Sequence, residues 1–571
     1  MSRLDPTGTL LSPAALLQAH EALVAELLRP GACGGHAGVA QRLDTHLSTL
    51  LLAGELVFKL KKPVAFGFVD FSTLALRQDA CEQELRLNRR TAPRWYLAVL
   101  PVRQGVHGAF ISAPAASMAM PALASGPVLD WAVVMRRFDA SQGFDHLADA
   151  GALSELQIDA LAAAVAQFHS RLPPAPPGHG RPEAVLHWAR ENLVELAALL
   201  QTLAVTSQTA AALLAPLADL QQWSEQRGLA LAPLMALRAR TGHVREVHGD
   251  LHLGNIVWAD DAPLLFDALE FNDTLRHTDT VGDLAFTFMD LLARGLPQLA
   301  WRYISQVLEA SGDHAGLPLL GWWAAYRAAV RAKVALLSVG TDPAVALAAA
   351  GRYLALAQRL ASPAPAAWLL LCAGLSGSGK STVALLLAQQ LGAVRLRSDV
   401  ERKRLHGLAA NARPLPSNGL YSADSTARTY ARLADLAQLA LQAGITVVVD
   451  AAALQREQRD GLRALASRED IAFGLVWCQA DVATLQQRLA RRLAAGGDAS
   501  DATPQLLDQQ LRSVQPPAAD EATHTWWLDT EVPLAALPLR CAALASAWAA
   551  RAAGHGPAAA PQPSAPAAGA V

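Results

Sequence analysis

The chain is short of charge, of aromatic residues, of cysteine and of long apolar runs, and each shortage excludes something. Charged residues make up 17% of the 571, below the roughly 25% usual in soluble domains. Lys and Arg number 48 against 50 Asp and Glu, a net charge of −2. No overall positive field draws in nucleic acid, and no acidic surplus keeps the chain disordered. Five cysteines (Cys33, Cys81, Cys372, Cys478, Cys541) are scattered and lack C-x-x-C spacing. This argues against a disulfide framework or a thiolate zinc site and for small buried thiols.

A membrane-spanning helix needs about 20 mostly apolar residues without breakers. The uncharged stretches fail that test. Residues 104–129 contain Pro114, Pro121 and Pro127; 196–218 carry Gln201, Thr202, Thr206, Ser207, Gln208 and Thr209; 360–379 hold Pro363, Pro365, Gly374, Gly377 and Gly379. A mean hydropathy of +0.20 therefore reflects alanine more than large buried side chains. The first residues lack a basic region followed by an apolar one and a cleavage site. The expectation is a cytoplasmic protein with no membrane partner.

At roughly 150 residues per domain the length suggests about three to four domains, but composition divides it into two blocks. Ser362-Pro363-Ala364-Pro365 interrupts helical patterning. From about Ala552 the chain is Ala/Pro-rich, with no large apolar residue to build a core. The expected domains are residues 1–361, residues 365–550 and a disordered tail, 552–571. The first block has helical pattern at Ala14–Leu28 and Leu74–Arg90, and strand-like runs at Thr49–Leu60, Tyr96–Val102 and Trp131–Phe138. It is then mostly helical to about Leu360, apart from short strands at Ile256–Trp258 and Leu264–Phe266. A small β-rich lobe followed by a larger helical one is the order of a bilobal, protein-kinase-like α+β domain. The second block alternates strands (Trp368–Ala373, Val394–Leu396, Ile445–Val449, Phe473–Trp477, Trp526–Leu528) with helices such as Ser381–Leu391 and Asp424–Ala443. That alternation predicts a parallel α/β sheet covered on both faces.

In the second block, Gly374-Leu375-Ser376-Gly377-Ser378-Gly379-Lys380-Ser381 matches G-x-x-x-x-G-K-[ST] between a strand and a helix. Glycines let successive N–H groups turn toward phosphate oxygens at a helix N-terminus. Lys380 would reach the β/γ-phosphates, Thr382 follows on the same helix start, and the Ser381 hydroxyl would ligate Mg²⁺. Asp450 closes the apolar run Thr446–Val449 as a second candidate metal group. Asp399, after the strand Val394–Leu396, is either a general base for an acceptor hydroxyl or the N-cap of the next helix. Arg488, Arg491 and Arg492 precede a Gly/Asp loop and are read either as a mobile lid, with Arg491 at the phosphate, or as a solvated helix face. GLSGSGKS, RSDVERKRL, VVVDAA and the Arg-rich segment resemble the P-loop kinase group that includes gluconate-kinase-like and zeta-toxin-like proteins. The resemblance implies ATP and Mg²⁺ in phosphoryl transfer to a hydroxyl.

In the first block, His248-Gly249-Asp250-Leu251-His252-Leu253-Gly254-Asn255 fits H-x-D-L-x-x-x-N. Asp250 would accept the acceptor's proton and Asn255 would hold a metal ion, with Asp267 following as the metal-chelating carboxylate. The motif resembles the aminoglycoside phosphotransferase-like (choline-kinase-like) family over roughly residues 40–340. Gly249 stands where protein kinases have Arg, Asp267-Ala268-Leu269-Glu270 replaces D-F-G, and no A-P-E segment is visible, which points to a small-molecule acceptor. The resemblance also implies a phosphate-contacting lysine among Lys59, Lys61 and Lys62, with Lys59 preferred. It implies a partner in Glu84 or Glu82, a hinge at Val133–Phe138, and an acceptor pocket that could include Glu270, Asn272 and Arg276. Asp283 and His252 are expected to buttress the catalytic loop. The fused pair resembles a bacterial group of two-domain proteins.

The leading expectation is an ATP-dependent phosphotransferase with two nucleotide sites acting on small hydroxylated acceptors. One alternative makes one domain a regulatory nucleotide-binding module. The other makes the P-loop domain a nucleic-acid end kinase, using a basic patch of Arg395, Arg397, Arg402, Lys403 and Arg404; the balanced overall charge disfavours it.

Overall fold

The computed structural model describes residues 12–67, 69–112, 126–338, 342–362, 366–410, 412, 419–495 and 500–552. The expected tail lies, beyond Ala552, outside the described residues; Ala552 itself ends the helix Leu537–Ala552. Two compact units emerge: Met1–Arg294 with Gly321–Ala361, and Gly295–Leu320 with Ser362–Val571. The boundary expected at 361/365 therefore misses one segment. The helix Pro297–Ser311 packs with the second unit because its polar face is used there. Ser305 Oγ donates to Ala393 O at 3.4 Å and accepts the N–H of Arg395 at 3.2 Å, and Glu309 pairs with Arg395 and Arg397.

The first unit is built on a six-stranded antiparallel sheet. Its order is Gln41–Asp44, Ser48–Ala53, Leu56–Lys61, Val128–Arg136, Tyr96–Gly105 and Gly108–Ile111. The single run expected at Thr49–Leu60 is a hairpin that reverses at Gly54, whose φ of +61° suits glycine. One face is sealed by the helix Pro13–Leu27, whose Val24 and Leu27 pack with Leu51, Phe58 and Val134, all fully buried. The helix Leu74–Asn88 starts at Thr73, whose side chain accepts the Leu76 N–H. It presents Cys81 and Glu84 inward. Beyond residue 136 the unit is mainly helical, with the catalytic-loop motif His248–Asn255 leading directly into the hairpin Ile256–Ala259/Ala262–Leu265.

The second unit is a five-stranded, fully parallel sheet in the order Ala393–Arg397, Thr446–Asp450, Trp368–Ala373, Ala472–Gln479, Thr525–Asp529. The strand before the P-loop is central, and the chain leaves it toward opposite edges. Its C-terminal end is thus the switch point where such sheets bind ligands. Leu370, Cys372, Leu387, Val448, Val476 and Trp548 fill one core. All five cysteines are free and buried, as their spacing suggested. Among the described residues no helix is long and apolar enough to cross a membrane.

Candidate active sites

In the first unit, Lys59 occupies the centre of the sheet, paired in register with Val133 of the expected hinge strand. Its Nζ donates to Glu84 Oε1 at 2.9 Å and to Asp267 Oδ1 at 2.5 Å. This selects Glu84, whose side chain is fully buried, over Glu82, which bonds Gln78 on the exposed face of the same helix. Lys61 lies two residues along the same strand face. It reaches Glu84 Oε2 at 2.5 Å and also bonds Glu270. Lys62 turns away to Asp44 Oδ1 at 3.0 Å and the carbonyl of Thr45. Burial alone would push both lysine pKa values down; the carboxylates around Lys59 and Lys61 reverse that and raise them. Glu270 is raised, burial outweighing Lys61.

The catalytic-loop residues converge as their spacing predicts. Asn255 Nδ2 donates to the carbonyl and to Oδ2 of Asp250, at 2.9 and 3.1 Å. His252 accepts the Gly254 N–H on Nδ1 at 3.1 Å, and its Nε2 lies 3.5 Å from Asp250 Oδ2 and 3.3 Å from Arg331 Nη1. Burial works against ionisation of Asp250, but His252 and then Arg331 hold its carboxyl well below the usual range. Asp283 buttresses the loop, accepting the N–H groups of Gly249 (2.9 Å) and His248 (3.3 Å) and an imidazole N–H from His169 (2.9 Å). Asp267 takes φ +59°, a left-handed conformation that costs a non-glycine residue energy. Its N–H is held by Tyr96 Oη at 3.1 Å, and the next N–H by Asn88 Oδ1 at 2.9 Å. The Asp267 side chain remains 39% exposed.

Three residues offered for an acceptor pocket are otherwise engaged. Glu270 is held by Lys61. Asn272 caps the helix Asp273–Arg276. Arg276 is buried against Glu246, Asp273 and the carbonyl of Glu270. His179, Asp273 and His277 gather their ligand atoms within 4.8 Å, but Arg276 already occupies the Asp273 carboxylate at 2.6 Å. Sequence reasoning missed His46, on the turn between the first two strands. Burial foremost depresses its imidazole, with Arg331 and Lys62 acting in the same direction and Asp250 and Asp267 opposing. The turn is clamped by the Thr45 side chain and by Lys62.

In the second unit the P-loop adopts the glycine conformations its motif calls for: φ is +144° at Gly374, +86° at Gly377 and +80° at Gly379. A Cβ on Gly374 would lie 2.3 Å from the carbonyl oxygen of Cys478. Strain of about 1–3 kcal/mol predicts that Gly374→Ala loses about tenfold or more in ATP affinity. Titration with a fluorescent nucleotide checks this, with Gly461→Ala, whose Cβ meets nothing within 4 Å, as the unaffected control.

Leu375 of the loop packs on Leu485, Leu489 and Leu507. The Ser376 N–H donates to Gln510 Oε1 at 2.9 Å. Gly379 precedes the helix Lys380–Leu391; Lys380 is buried, Ser381 half-buried and Thr382 exposed. Asp450, 3% exposed, ends the strand beside Cys372, with Arg397 Nε 3.5 Å from it. Asp399 lies in the first turn of the helix Ser398–Leu405, one residue inside its start, so it is not the N-cap. Among the described residues it accepts no side-chain or backbone bond, and its charge is felt at Tyr421 and Tyr430.

Two expectations change. Arg491 is exposed; Arg488 instead donates to the Gly377 carbonyl (3.3 Å), Thr530 Oγ1 (3.0 Å) and Thr530 O (2.7 Å). Three residues along a helix shift the side chain by 60°, enough to move it from the loop to solvent. The proposed basic patch is also engaged by the protein's own groups. Arg395 and Arg397 pair with Glu309, Arg404 with Glu401, and Lys403 with Asp501, while Arg402 bonds the carbonyl of Leu420. Charges spent in this way give no phosphate-binding stripe.

Both sites suit Mg²⁺ by donor chemistry, since they offer hard oxygens only. In the first unit these are Asn255, whose amide nitrogen is committed to Asp250, and the half-open Asp267 carboxylate. In the second they are the Ser381 hydroxyl and Asp450.

The family described as "Phosphotransferase enzyme family" matches residues 125–316, and that described as "AAA domain" matches residues 369–517. A kinase-like α+β unit joined to a P-loop α/β unit makes this chain an ATP-dependent phosphotransferase. It is 32% identical over 467 residues, 81% of this chain and 88% of the relative, to Uncharacterized protein Rv2004c of Mycobacterium tuberculosis (strain ATCC 25618 / H37Rv). The same figures hold for Uncharacterized protein Mb2027c of Mycobacterium bovis. The chain belongs to the family that these relatives represent. Among solved structures, a gluconokinase from Sinorhizobium meliloti 1021 is 24% identical, with a TM-score of 0.25, covering 33% of this chain and 97% of that one. A choline kinase from Cryptosporidium parvum Iowa II is 11% identical, with a TM-score of 0.34, covering 56% and 89%.

Proposed function

We propose that the chain carries two working ATP sites, each transferring the γ-phosphate to a hydroxyl of a small-molecule acceptor. The observation that carries this reading is that neither unit has lost a chemical group. In the first, Lys59 bonds Glu84 and Asp267, and Asn255 bonds Asp250. In the second, the glycine loop, Lys380, Ser381, Asp399 and Asp450 are all retained in the sequence.

In the first unit, Asp250, held ionised and oriented by His252 and Asn255, takes the acceptor's proton. Lys59, fixed by Glu84, meets the phosphates, and Asn255 and Asp267 hold Mg²⁺. In the second, the N–H groups of Gly377, Gly379, Lys380, Ser381 and Thr382 cradle the phosphates, those of Gly374, Ser376 and Ser378 being bonded within the protein. Lys380 neutralises developing charge, Ser381 and Asp450 hold Mg²⁺, and Asp399 serves as base. Arg488, rather than Arg491, is the lid-helix arginine at the loop. Mg²⁺, where bound, screens phosphate charge and fixes its orientation. The acceptors are small hydroxylated molecules, a class the balanced charge and the self-paired basic residues favour over nucleic acid.

The test is a metabolite screen with γ-labelled ATP on the full chain, on Asp250→Ala and on Lys380→Ala. Two activities are expected, each lost in one variant and retained in the other. ATP binding at one unit with no transfer to any acceptor would instead make that unit regulatory. Steeply salt-dependent RNA or DNA binding would revive the end-kinase reading.

A further inference from the structure

Asp273 and His277 stand four residues apart across the single helical turn Asp273–Arg276, a spacing that sets two side chains on one face. His179 comes to them from the connection at residues 172–181. Gly178 (φ +104°) and Gly180 (φ +63°) flank it, and Gly180 is seated so closely that a Cβ there would lie 2.5 Å from the Val244 side chain. One ligand atom of each of the three residues lies within 4.8 Å of the other two.

The hydrogen bonds of this group leave one contact without a proton. His179 Nδ1 stands 3.1 Å from the Pro176 carbonyl, and its Nε2 stands 3.0 Å from Asp273 Oδ2. Both oxygens only accept. Burial disfavours the charge on Asp273, but His179, His277 and Arg276 hold its carboxyl below the usual range. A neutral imidazole has one N–H and serves only one of the two oxygens. The other contact calls for a second proton or a metal ion. His277 Nδ1 also faces acceptors, the Asp273 carbonyl at 2.9 Å and Asp273 Oδ1 at 3.2 Å. With the proton on Nδ1, its Nε2 keeps the lone pair. An imidazole whose other nitrogen donates to a carbonyl is the arrangement metal-ligating histidines favour. Arg276 takes Asp273 Oδ1 at 2.6 Å and also bonds Glu246 at 3.1 Å. Oδ2 is the oxygen that faces His179, and a ligating carboxylate is commonly hydrogen-bonded through its second oxygen.

We propose that His179, Asp273 and His277 form a Zn²⁺ site, with water as the fourth ligand, built from none of the residues assigned to the two ATP sites. Two imidazoles and one carboxylate suit zinc, whereas Mg²⁺ prefers oxygen ligands alone. On binding, His179 gives up its Nε2 proton to solvent and that lone pair goes to the metal. His277 opens the strand His277–Asp279, which pairs in register with Val244–Glu246, two residues before His248 of the catalytic loop. The ion thus clips the 172–181 connection to the strand pair that feeds that loop.

The test is titration of the full chain with Zn²⁺ at neutral pH in excess Mg²⁺, followed by calorimetry, with Co²⁺ absorption as a second readout. One equivalent is expected that His179→Gln and Asp273→Asn each weaken about a hundredfold or more, since outer-shell changes alone cost about 10- to 100-fold. The Co²⁺ bands are expected to be those of nitrogen ligation. Zinc binding unchanged in His179→Gln overturns the proposal, as does the absence of any such equivalent. Zinc that only Asp267→Asn or Asp450→Asn removes sits at an ATP site, and also overturns it. Should Asp273→Asn, which disturbs Arg276, not fold, His179→Gln decides, since its side chain lies on the outer connection and is 27% exposed.

Discussion

Asp250→Asn lowers phosphotransfer at the kinase-like site by about 10²- to 10⁴-fold, the range expected for loss of a positioned general base. The substitution preserves shape, so the Asn255 bond to the residue 250 carbonyl, 2.9 Å in the parent, is retained. What disappears is a carboxylate whose pKa is held low by His252 and Arg331 against the effect of burial. The phosphate side is untouched, since Lys59 is fixed by Glu84 and Asp267 at 2.9 and 2.5 Å. The loss should therefore fall on kcat, with KM for ATP close to the parent's. The measurement is steady-state transfer from labelled ATP in a Lys380→Ala background, so that only the first unit turns over. A rate within a few-fold of the parent would remove Asp250 from the reaction.

Glu84→Gln is expected to destabilise the first unit by about 3–5 kcal/mol, the cost of breaking a buried ion network by removing one partner. Glu84 is fully buried and shared by two lysines whose side chains are 9% and 1% exposed. Without it, Lys59 and Lys61 depend on Asp267 and Glu270. Burial favours the protonated form of Glu270, so part of that compensation is weak. A loss of this size is a large share of the 5–15 kcal/mol typical of a domain. Denaturant unfolding of the full chain, with the early transition assigned by ATP protection, measures it. Glu82→Gln, on the exposed face of the same helix, should stay within about 0.5 kcal/mol of the parent. Equal midpoints for the two variants would show that the network does not hold this lobe together.

Legibility followed chemistry that is local along the chain. The P-loop could be read because a phosphate cradle needs consecutive N–H groups and glycines at the positive-φ positions. That Asp250, Asn255 and Asp267 lie near one another could be read because one short loop and hairpin carry all three. That Lys59 and Lys61 share one strand face followed from strand alternation. The partner choice between Glu84 and Glu82 did not, because both lie on one helix and only packing tells the buried face from the wet one. Arg491 in place of Arg488 is an error of the same kind.

The basic patch failed for a different reason. Arg395, Arg397, Arg402, Lys403 and Arg404 cluster in sequence, but their counter-charges and acceptors come from elsewhere, Glu309 and Asp501 among them. Nothing local announces such pairs.

The sequence by itself thus determined the two kinase-like units and the parallel sheet behind the P-loop, since each rests on local residue type and spacing. Only the tertiary structure decided which lysine, glutamate and arginine stand at each site. It also decided that residues 295–320 complete the second unit, because burial and charge compensation depend on neighbours that the chain brings together only on folding.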